Sequence, residues 1–243
     1  MDTFQITSKR NLAYITGTSI LIMAVLAGLV VGMVQTTLII PGDIDQTIIN
    51  LQSQSSTFRW GIIGWTGILI TDILASWGLK EFYKDKNASL ALLTGWFRLA
   101  YSGILAVAIL QWVMVLILNS GGVDFSEVLV NGNSKELTAL FLEGFNRSWS
   151  FGLIIFGLHL VVLAYLVWDK KWVLKIISIL ILLAGIGYLL TNILNIVLPD
   201  YASIKSSLEG IFMLPMVLGE VGLAIWMLIK GGKNYHMKER IYS

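Results

Sequence analysis

Residues 58–80, FRWGIIGWTGILITDILASWGLK, and residues 88–103, ASLALLTGWFRLAYSG, are two apolar segments separated by the charged loop EFYKDKN. Each segment carries one full charge within its apolar run. Asp72 lies eight residues before the end of the first segment, and Arg98 lies ten residues after the start of the second. At a rise of about 1.5 Å per residue, both charges are roughly 12–15 Å from the loop. The sequence therefore predicts a helical hairpin with an ion pair between Asp72 and Arg98.

The composition is typical of an integral membrane protein. Of the 243 residues, 56% are hydrophobic and 13% are charged, whereas soluble domains carry about 25% charged residues. The sequence contains no cysteine, which excludes disulfides, thiolate metal sites and cysteine nucleophiles. A net charge of +2 is too small to indicate a nucleic-acid partner. We therefore expect membrane lipids around the protein and no nucleic acid among its partners.

Six apolar runs are long enough to cross a bilayer, since about 20 apolar residues span the hydrocarbon core. We predict an all-α, polytopic membrane protein, a six-transmembrane helical bundle that forms a single transmembrane domain over residues 1–243. The predicted spans are residues 12–34, 58–79, 88–118, 148–168, 176–198 and 207–229.

Lysine and arginine residues are divided unevenly between the two sides of this bundle. Twelve lie in the N-terminal segment, the 80–87 and 169–175 loops and the C-terminal tail, whereas four lie in or beside the other three connections. Because cytoplasmic loops carry the excess of positive charge, we predict cytoplasmic N- and C-termini and a multi-pass location in the cytoplasmic (cell) membrane. The basic tail, KGGKNYHMKER, favours contact with anionic lipids.

The connections on the predicted outer side contain two further helical patterns. Ile44, Ile48 and Leu51 recur at helical spacing and predict a short amphipathic helix on the outer surface. A continuous helix over residues 136–168 would be about 50 Å long, well beyond a hydrocarbon core of about 30 Å. Such a helix has to protrude, tilt or break, and we expect a break near Gly144.

The first predicted span carries small residues at four-residue spacing, Ala24, Gly28 and Gly32. Such a face permits the close approach of two helices. We expect it to pack within the bundle rather than to form a dimer, and the oligomeric state stays open.

Four ionisable residues on four different spans fall at one depth. His159 and Glu220 each lie ten residues before the cytoplasmic end of their span, so they are about 15 Å deep, in the same layer as Asp72 and Arg98. An ionised group at the bilayer centre costs about 2.5–3.5 kcal/mol. These side chains should therefore point into the bundle and satisfy one another.

Three further polar residues complete the candidate site. Tyr101 shares with Arg98 a small, polar helix face, and Tyr188 and Asn192 lie slightly further out than the charged layer. The candidate ligand-binding residues of this intramembrane polar layer are Asp72, Arg98, His159, Glu220, Tyr101, Tyr188 and Asn192.

The polar layer supports three hypotheses. The leading one is a protein that binds or moves a small molecule, a lipid or a proton, because intramembrane ionisable residues are functional candidates by default. An alternative is a membrane-embedded lipid-modifying enzyme with Glu220 or Asp72 as general base and His159 as acid or metal ligand. The other alternative is a structural or accessory protein in which the layer is a buried ion-pair staple.

The sequence contains no motif that identifies a catalytic, metal or cofactor site. H-E-x-x-H, G-x-S-x-G and Walker patterns are absent. Asp72, His159 and Glu220 are residue types that can bind zinc, but they come from three different spans without any local ligand spacing. We therefore predict no metal and no cofactor.

Several segments together resemble a bacterial multi-pass integral-membrane family catalogued only as a domain of unknown function. They are FGLHLVVLAYLVW (156–168), LLAGIGYLL (182–190), LPMVLGEVGLAIWMLIKG (214–231), the opening KRNLAYITG (9–17) and the hairpin with GWFRLAYSGI (95–104). The resemblance covers nearly the whole chain. It implies a bacterial cell-membrane protein of one domain that shares Asp72, Arg98, His159 and Glu220, and it implies no particular activity.

Overall fold

The computed structural model describes residues 8–120, 134–198 and 201–233, and every regular element in these ranges is helical. Six of its helices are long and apolar enough to cross a membrane, which confirms the predicted all-α membrane bundle with six spans. The helices are α1 (Lys9–Leu38), α2 (Ile44–Ser53), α3 (Ser55–Tyr83), α4 (Ala88–Asn119), α5 (Ser134–Val167), α6 (Trp172–Val197) and α7 (Ala202–Lys230).

Helices α3 and α4 form the hairpin that the sequence predicts. Asn87 is the N-cap of α4, because its side chain accepts a hydrogen bond from a backbone amide three residues on (3.0 Å). In the connecting turn, Lys84 donates to Glu81 at 2.7 Å, and this contact raises the pKa of Lys84. Ser76 of α3 donates to the carbonyl oxygen of Gly95 of α4 (2.7 Å). Small residues thus bring the two helices close together on the loop side of Asp72.

The six long helices form a ring. Apart from the short α2, each packs against the next one along the chain, and α1 closes the ring by packing against both α3 and α7. Aromatic side chains from α3, α4 and α5 fill part of the interior of this helical ring. The centroids of neighbouring aromatic rings are 4.9 to 6.2 Å apart among Phe58, Trp65, Trp112, Phe145 and Trp149. Such tilted and edge-to-face aromatic pairs add to the stability gained from apolar burial.

Helix α5 differs from its prediction, because it runs through Gly144 without a break and is 34 residues, about 51 Å, long. Its extra N-terminal turns have partners outside the apolar layer. Lys135 pairs with Asp45 of α2 (2.6 Å), and Thr138 accepts a hydrogen bond from Asn119 at the end of α4 (3.1 Å). The prediction of a break was wrong because these turns protrude and pack, and so need not fit within the bilayer.

The amphipathic segment after α1 is helical, as predicted. Helix α2 begins after Asp43, whose side chain accepts a hydrogen bond from the Gln46 amide (2.9 Å). Leu51 is buried, and Ile44 and Ile48 are half-buried. The helix lies against α3, α4 and α5, so its apolar face packs on the end of the bundle.

Helices α1 and α7 are in close contact at the end of the bundle where α1 begins and α7 ends. The guanidinium of Arg10 donates to the carbonyl oxygens of Leu228 (2.6 Å) and Gly231 (2.8 Å), at the C-terminus of α7. A Cβ atom at Gly17 would lie 2.8 Å from the carbonyl oxygen of Ala224, so the absence of a side chain there permits the close approach.

The glycines in the other half of α1 have no such neighbour. Cβ atoms at Gly28 and Gly32 would meet nothing within 4 Å, and both glycines are exposed. The expectation that these glycines mediate packing within the bundle was wrong, because the close α1–α7 contact is made two to four turns nearer the N-terminus. Beyond that contact the two helices leave a lateral gap.

Candidate functional site

Arg98 of α4 is the centre of a buried ionic network. The side chain is fully buried, and its Nε and Nη2 groups donate to Oδ1 of Asp72 at 2.8 and 2.7 Å. Its Nη1 group donates to Oε1 of Glu220 at 3.0 Å. One guanidinium therefore joins α3, α4 and α7, and the predicted buried ion pair between Asp72 and Arg98 is confirmed.

His159 of α5 is also in contact with this guanidinium. Its Nε2 atom is 3.2 Å from Nη1 of Arg98, and its Nδ1 atom is 2.9 Å from the carbonyl oxygen of Thr94 and 2.8 Å from the Thr94 hydroxyl. Because a guanidinium can only donate, Nε2 accepts and the imidazole proton is on Nδ1, where it donates to Thr94. Both ring nitrogens are thus occupied, and the geometry offers no support for His159 as a general acid.

The carboxylates of the network are only partly satisfied. Oδ2 of Asp72 is buried and has no hydrogen-bond partner within residues 8–120, 134–198 and 201–233. The hydrogen bond of Glu220 uses Oε1, and Oε2 makes none with the same described residues. An unsatisfied buried polar group costs about 1–3 kcal/mol, and more when it is charged. Such an atom in a native structure therefore requires an explanation.

Asp72 and Glu220 lie in the wall of a cavity of about 420 Å³. Trp65 of α3 also lines the cavity, on the same helix face as Asp72 and seven residues away, about 10 Å along the axis. Its indole N–H has no hydrogen-bond partner in the described part of the chain. The remaining walls are apolar or aromatic. They are formed by Ile20, Met23, Ala24, Ala27, Gly28, Ile68, Tyr101, Trp149, Leu153, Phe156, Tyr188, Met216, Val217 and Val221.

The cavity opens sideways at the gap between α1 and α7. Gly28 and Val217 line the cavity and are both exposed, with 53% of Val217 accessible. Asp72, by contrast, is completely inaccessible from outside. The site therefore combines an anionic interior end with an apolar passage toward the position of the lipids.

The formal charges of the network do not cancel. Asp72 and Glu220 contribute two negative charges if both are ionised, and Arg98 contributes one positive charge, whereas His159 is uncharged in the tautomer described above. The next basic residue along α3, Lys80, is eight residues from Asp72, about 12 Å, and it pairs with Glu81 at 3.0 Å. The site thus has one negative charge in excess.

The structure brings most of the predicted site residues together. Asp72, Arg98, His159 and Glu220 form one hydrogen-bonded network, and Tyr101 and Tyr188 line the cavity beside it. Asn192 lies elsewhere, because its amide oxygen accepts a hydrogen bond from Ser150 (2.8 Å) and thereby joins α5 to α6. That these residues bind a ligand stays a prediction.

Several residues of the site were not predicted. Sδ of Met23 accepts a hydrogen bond from Nη2 of Arg98 (3.3 Å), and the Phe156 ring lies 5.1 Å from the guanidinium carbon. Trp65 had a usable signal, since it lies two helical turns from Asp72 on one face. Gly28 belongs to the small-residue face that the sequence shows on the first span, but we expected that face to pack within the bundle. Met23 had no signal of its own in this apolar span.

The described residues contain no group of three or more histidine, cysteine, aspartate or glutamate side chains that could hold a metal ion. The chemistry that the site offers is therefore that of one guanidinium, two carboxylates and an aromatic wall. Two carboxylate oxygens without partners can accept hydrogen bonds from a donor, and they attract a cation.

Comparison with known proteins identifies a family but no activity. A family model described as Domain of unknown function (DUF4386) matches residues 15–231. The chain is 25% identical over 174 residues to an uncharacterized protein of Archaeoglobus fulgidus, an alignment that covers 72% of this chain and 85% of the relative. No solved structure matches the chain. The relative is archaeal, so bacterial origin and the cytoplasmic membrane stay predictions.

Proposed function

Because the chain belongs to the family described as Domain of unknown function (DUF4386), we propose its function from the geometry of its own site. The protein binds an amphipathic small molecule with a cationic, hydrogen-bond-donating head group in the intramembrane cavity. The head group lies between Asp72 and Glu220, and the apolar part extends toward Gly28 and Val217.

One observation carries this proposal: Oδ2 of Asp72 is completely buried and has no partner among the described residues, and the residue Asp72 lines a cavity. A purely structural ion pair would be expected to satisfy both carboxylate oxygens, because each unpaired buried oxygen reduces stability. A donor that arrives with a ligand supplies the missing hydrogen bond.

The excess negative charge of the site indicates that the head group of the ligand is positively charged. A cation at the unpaired oxygens neutralises the site, whereas an anion would add a second uncompensated charge to a membrane interior. Aromatic rings from Trp65, Tyr101, Phe156 and Tyr188 line the same cavity, and ring faces attract cations. The other lining side chains, apart from the carboxylates, suit hydrocarbon.

Native mass spectrometry tests the proposal with three probes of equal chain length: decylamine, decanol and decanoate. The purified protein is released from detergent in the presence of each probe. We expect a one-to-one adduct with decylamine, little adduct with decanol and less with decanoate, because only the amine carries both the cation and the donors.

The variants are Glu220→Gln and, as a matched control, Glu143→Gln. The same substitution at Glu143 changes a carboxylate that is 54% exposed and pairs with Arg147 on the surface of α5. The decylamine adduct should be lost in Glu220→Gln and retained in Glu143→Gln. Equal binding of all three probes, or an unchanged adduct in the correctly folded Glu220→Gln variant, would contradict the proposal and favour the structural staple.

A further inference from the structure

The charge balance of the site has to hold when no ligand is bound. Two carboxylates and one guanidinium leave one negative charge in excess, at a depth where an ionised group is costly. Water cannot compensate at Asp72, which is completely buried. A proton is the smallest cation that restores neutrality, and the partnerless oxygens of Asp72 and Glu220 are the atoms that can hold it.

We propose that the ligand's cationic head group displaces one proton from the Asp72–Glu220 pair, so that the site exchanges a proton for an organic cation. This inference rests on the proposed function and adds a coupling to it. One proton is assigned to the pair as a whole, because the two carboxylates share one guanidinium.

The exchange balances in atoms and charge. In the empty site, one carboxyl of the pair is protonated and the other is ionised and paired with Arg98, so the site is neutral. An alkylammonium ion from water binds, the O–H bond of the carboxyl breaks and the proton passes to water. The product contains two carboxylates, one guanidinium and one ammonium, and it is again neutral.

Among the described residues, no other group that faces the pair can take the place of this proton. Helix α1 presents the thioether of Met23, and α5 presents His159, whose Nε2 lone pair accepts from Arg98. The hydroxyls of Tyr101 on α4 and Tyr188 on α6 are phenols, which ordinarily keep their protons until about pH 10.

The donors of Arg98 are likewise committed. Nε and Nη2 donate to Asp72, Nη1 donates to Glu220 and faces His159, and Nη2 also reaches Met23. The guanidinium therefore has no N–H group left for the empty oxygens, and it remains charged at every pH of interest. The pair alone changes its protonation when a cation binds.

The test counts protons while decylamine binds to the full-length protein in weakly buffered detergent solution. Over pH 5–8 the free amine is fully protonated, since alkylammonium groups such as that of lysine titrate near pH 10.4, so it releases no proton of its own. We expect release of about one proton per bound amine wherever the pair is protonated. In that range the affinity should rise about tenfold per pH unit, because one proton competes with one cation.

Two variants remove the exchangeable proton. Glu220→Gln and Asp72→Asn each leave one carboxylate opposite Arg98, so each site is neutral without a proton. At amine concentrations high enough to force residual binding, each should release no proton per bound amine. Glu143→Gln should release protons as the unchanged protein does. Thermal unfolding in the same detergent checks that the compared variants are folded.

The outcomes separate this inference from the proposed function. If a decylamine adduct forms and no proton is released at every pH tested between 5 and 8, the proposed exchange is overturned and the proposed binding function remains. Failure of the unchanged protein to form an adduct overturns both. Proton release that persists in both carboxamide variants also overturns the exchange, because the proton would then come from another group.

Discussion

At the scale of single residues, the partnerless oxygen of Asp72 leads us to predict how carboxamide substitutions change the free energy of unfolding. Asp72→Asn keeps an accepting oxygen toward Nε and Nη2 of Arg98, and Glu220→Gln keeps one toward Nη1. Each single change replaces the carboxyl that would carry the proton with a neutral amide and leaves the net charge of the site unchanged, so we expect small losses of stability, below about 1 kcal/mol, typical of mild substitutions. The double variant leaves Arg98 buried without a counter-ion, which costs about 3–5 kcal/mol.

Thermal unfolding of the two single variants and the double variant in one detergent measures this difference. The informative quantity is the departure from additivity, since groups in one network couple. Equal and additive losses would show that both carboxylates are ionised in the empty protein, and the charge argument would then fail.

Residue depth was predictable from the sequence, whereas residue direction was not. Counting helical residues from the charged loops placed Asp72, Arg98, His159 and Glu220 in one layer. Because an ionised group within a bilayer is costly, we expected these side chains to contact one another. The same count placed Asn192 nearby, but its side chain bonds to Ser150 instead. The rotation of each helix about its axis depends on the packing of apolar side chains, which a nearly uniform apolar run does not specify.

At the scale of helix pairs, two glycines test whether contact or propensity determines stability. A Cβ atom at Gly157 of α5 would lie 2.9 Å from the carbonyl oxygen of Gly185 on α6, whereas one at Gly103 of α4 would meet nothing within 4 Å. Gly157→Ala should destabilise the protein by about 1–3 kcal/mol through overpacking. Gly103→Ala should be neutral or stabilising, by up to about 1 kcal/mol, because alanine is the better helix former.

The measurement is again thermal unfolding, with the two alanine variants compared side by side. Both substitutions add the same methyl group to the interior of a long helix, so helix propensity cancels in the comparison. If Gly157→Ala were as stable as Gly103→Ala, the close contact of α5 and α6 would be wrong.

The gap between α1 and α7 makes a second prediction at this scale. Ile68 lines the cavity, and the chain contains no cysteine, so Ile68→Cys introduces a unique thiol there. Gly28→Phe adds a ring at the mouth of the gap, whereas Gly103→Phe adds the same ring where its Cβ meets open space. In vesicles, the first ring should slow alkylation of the thiol by neutral N-ethylmaleimide, and the second should not.

A charged maleimide is the control for entry from water. It should react with Ile68→Cys much more slowly than the neutral reagent, because the passage leads to the lipids. Equal rates for the two reagents, or no effect of Gly28→Phe, would show that the cavity is reached by another route.

The length of α5 shows where the sequence-based argument about helices was incomplete. A helix of this length can protrude, tilt or break, and the expected break at Gly144 does not occur. The start of α5 depends on tertiary contacts that the local sequence does not show. One of them is the ion pair between Lys135 and Asp45, which are 90 residues apart in the chain. Apolar run lengths identify which segments cross the membrane, but contacts outside it determine where each helix begins.

At the scale of the whole molecule, the distribution of lysine and arginine decides which leaflet the cavity faces. Gly28 lies 19 residues after Lys9, roughly 29 Å along α1, and therefore lies far from the predicted cytoplasmic side. If the N- and C-termini are cytoplasmic, the gap between Gly28 and Val217 opens into the outer half of the bilayer. The proposed ligand then enters from the outer leaflet and meets Asp72 and Glu220 near the middle.

Single cysteines test that orientation directly, since the chain has none of its own. Lys84→Cys places a thiol in the turn between α3 and α4, and Gln46→Cys places one on the exposed face of α2. In intact cells, a membrane-impermeant maleimide should label Gln46→Cys and leave Lys84→Cys unlabelled until the membrane is opened. The reverse pattern would place the termini outside and turn the gap toward the inner leaflet, so that the proposed ligand would enter from that leaflet.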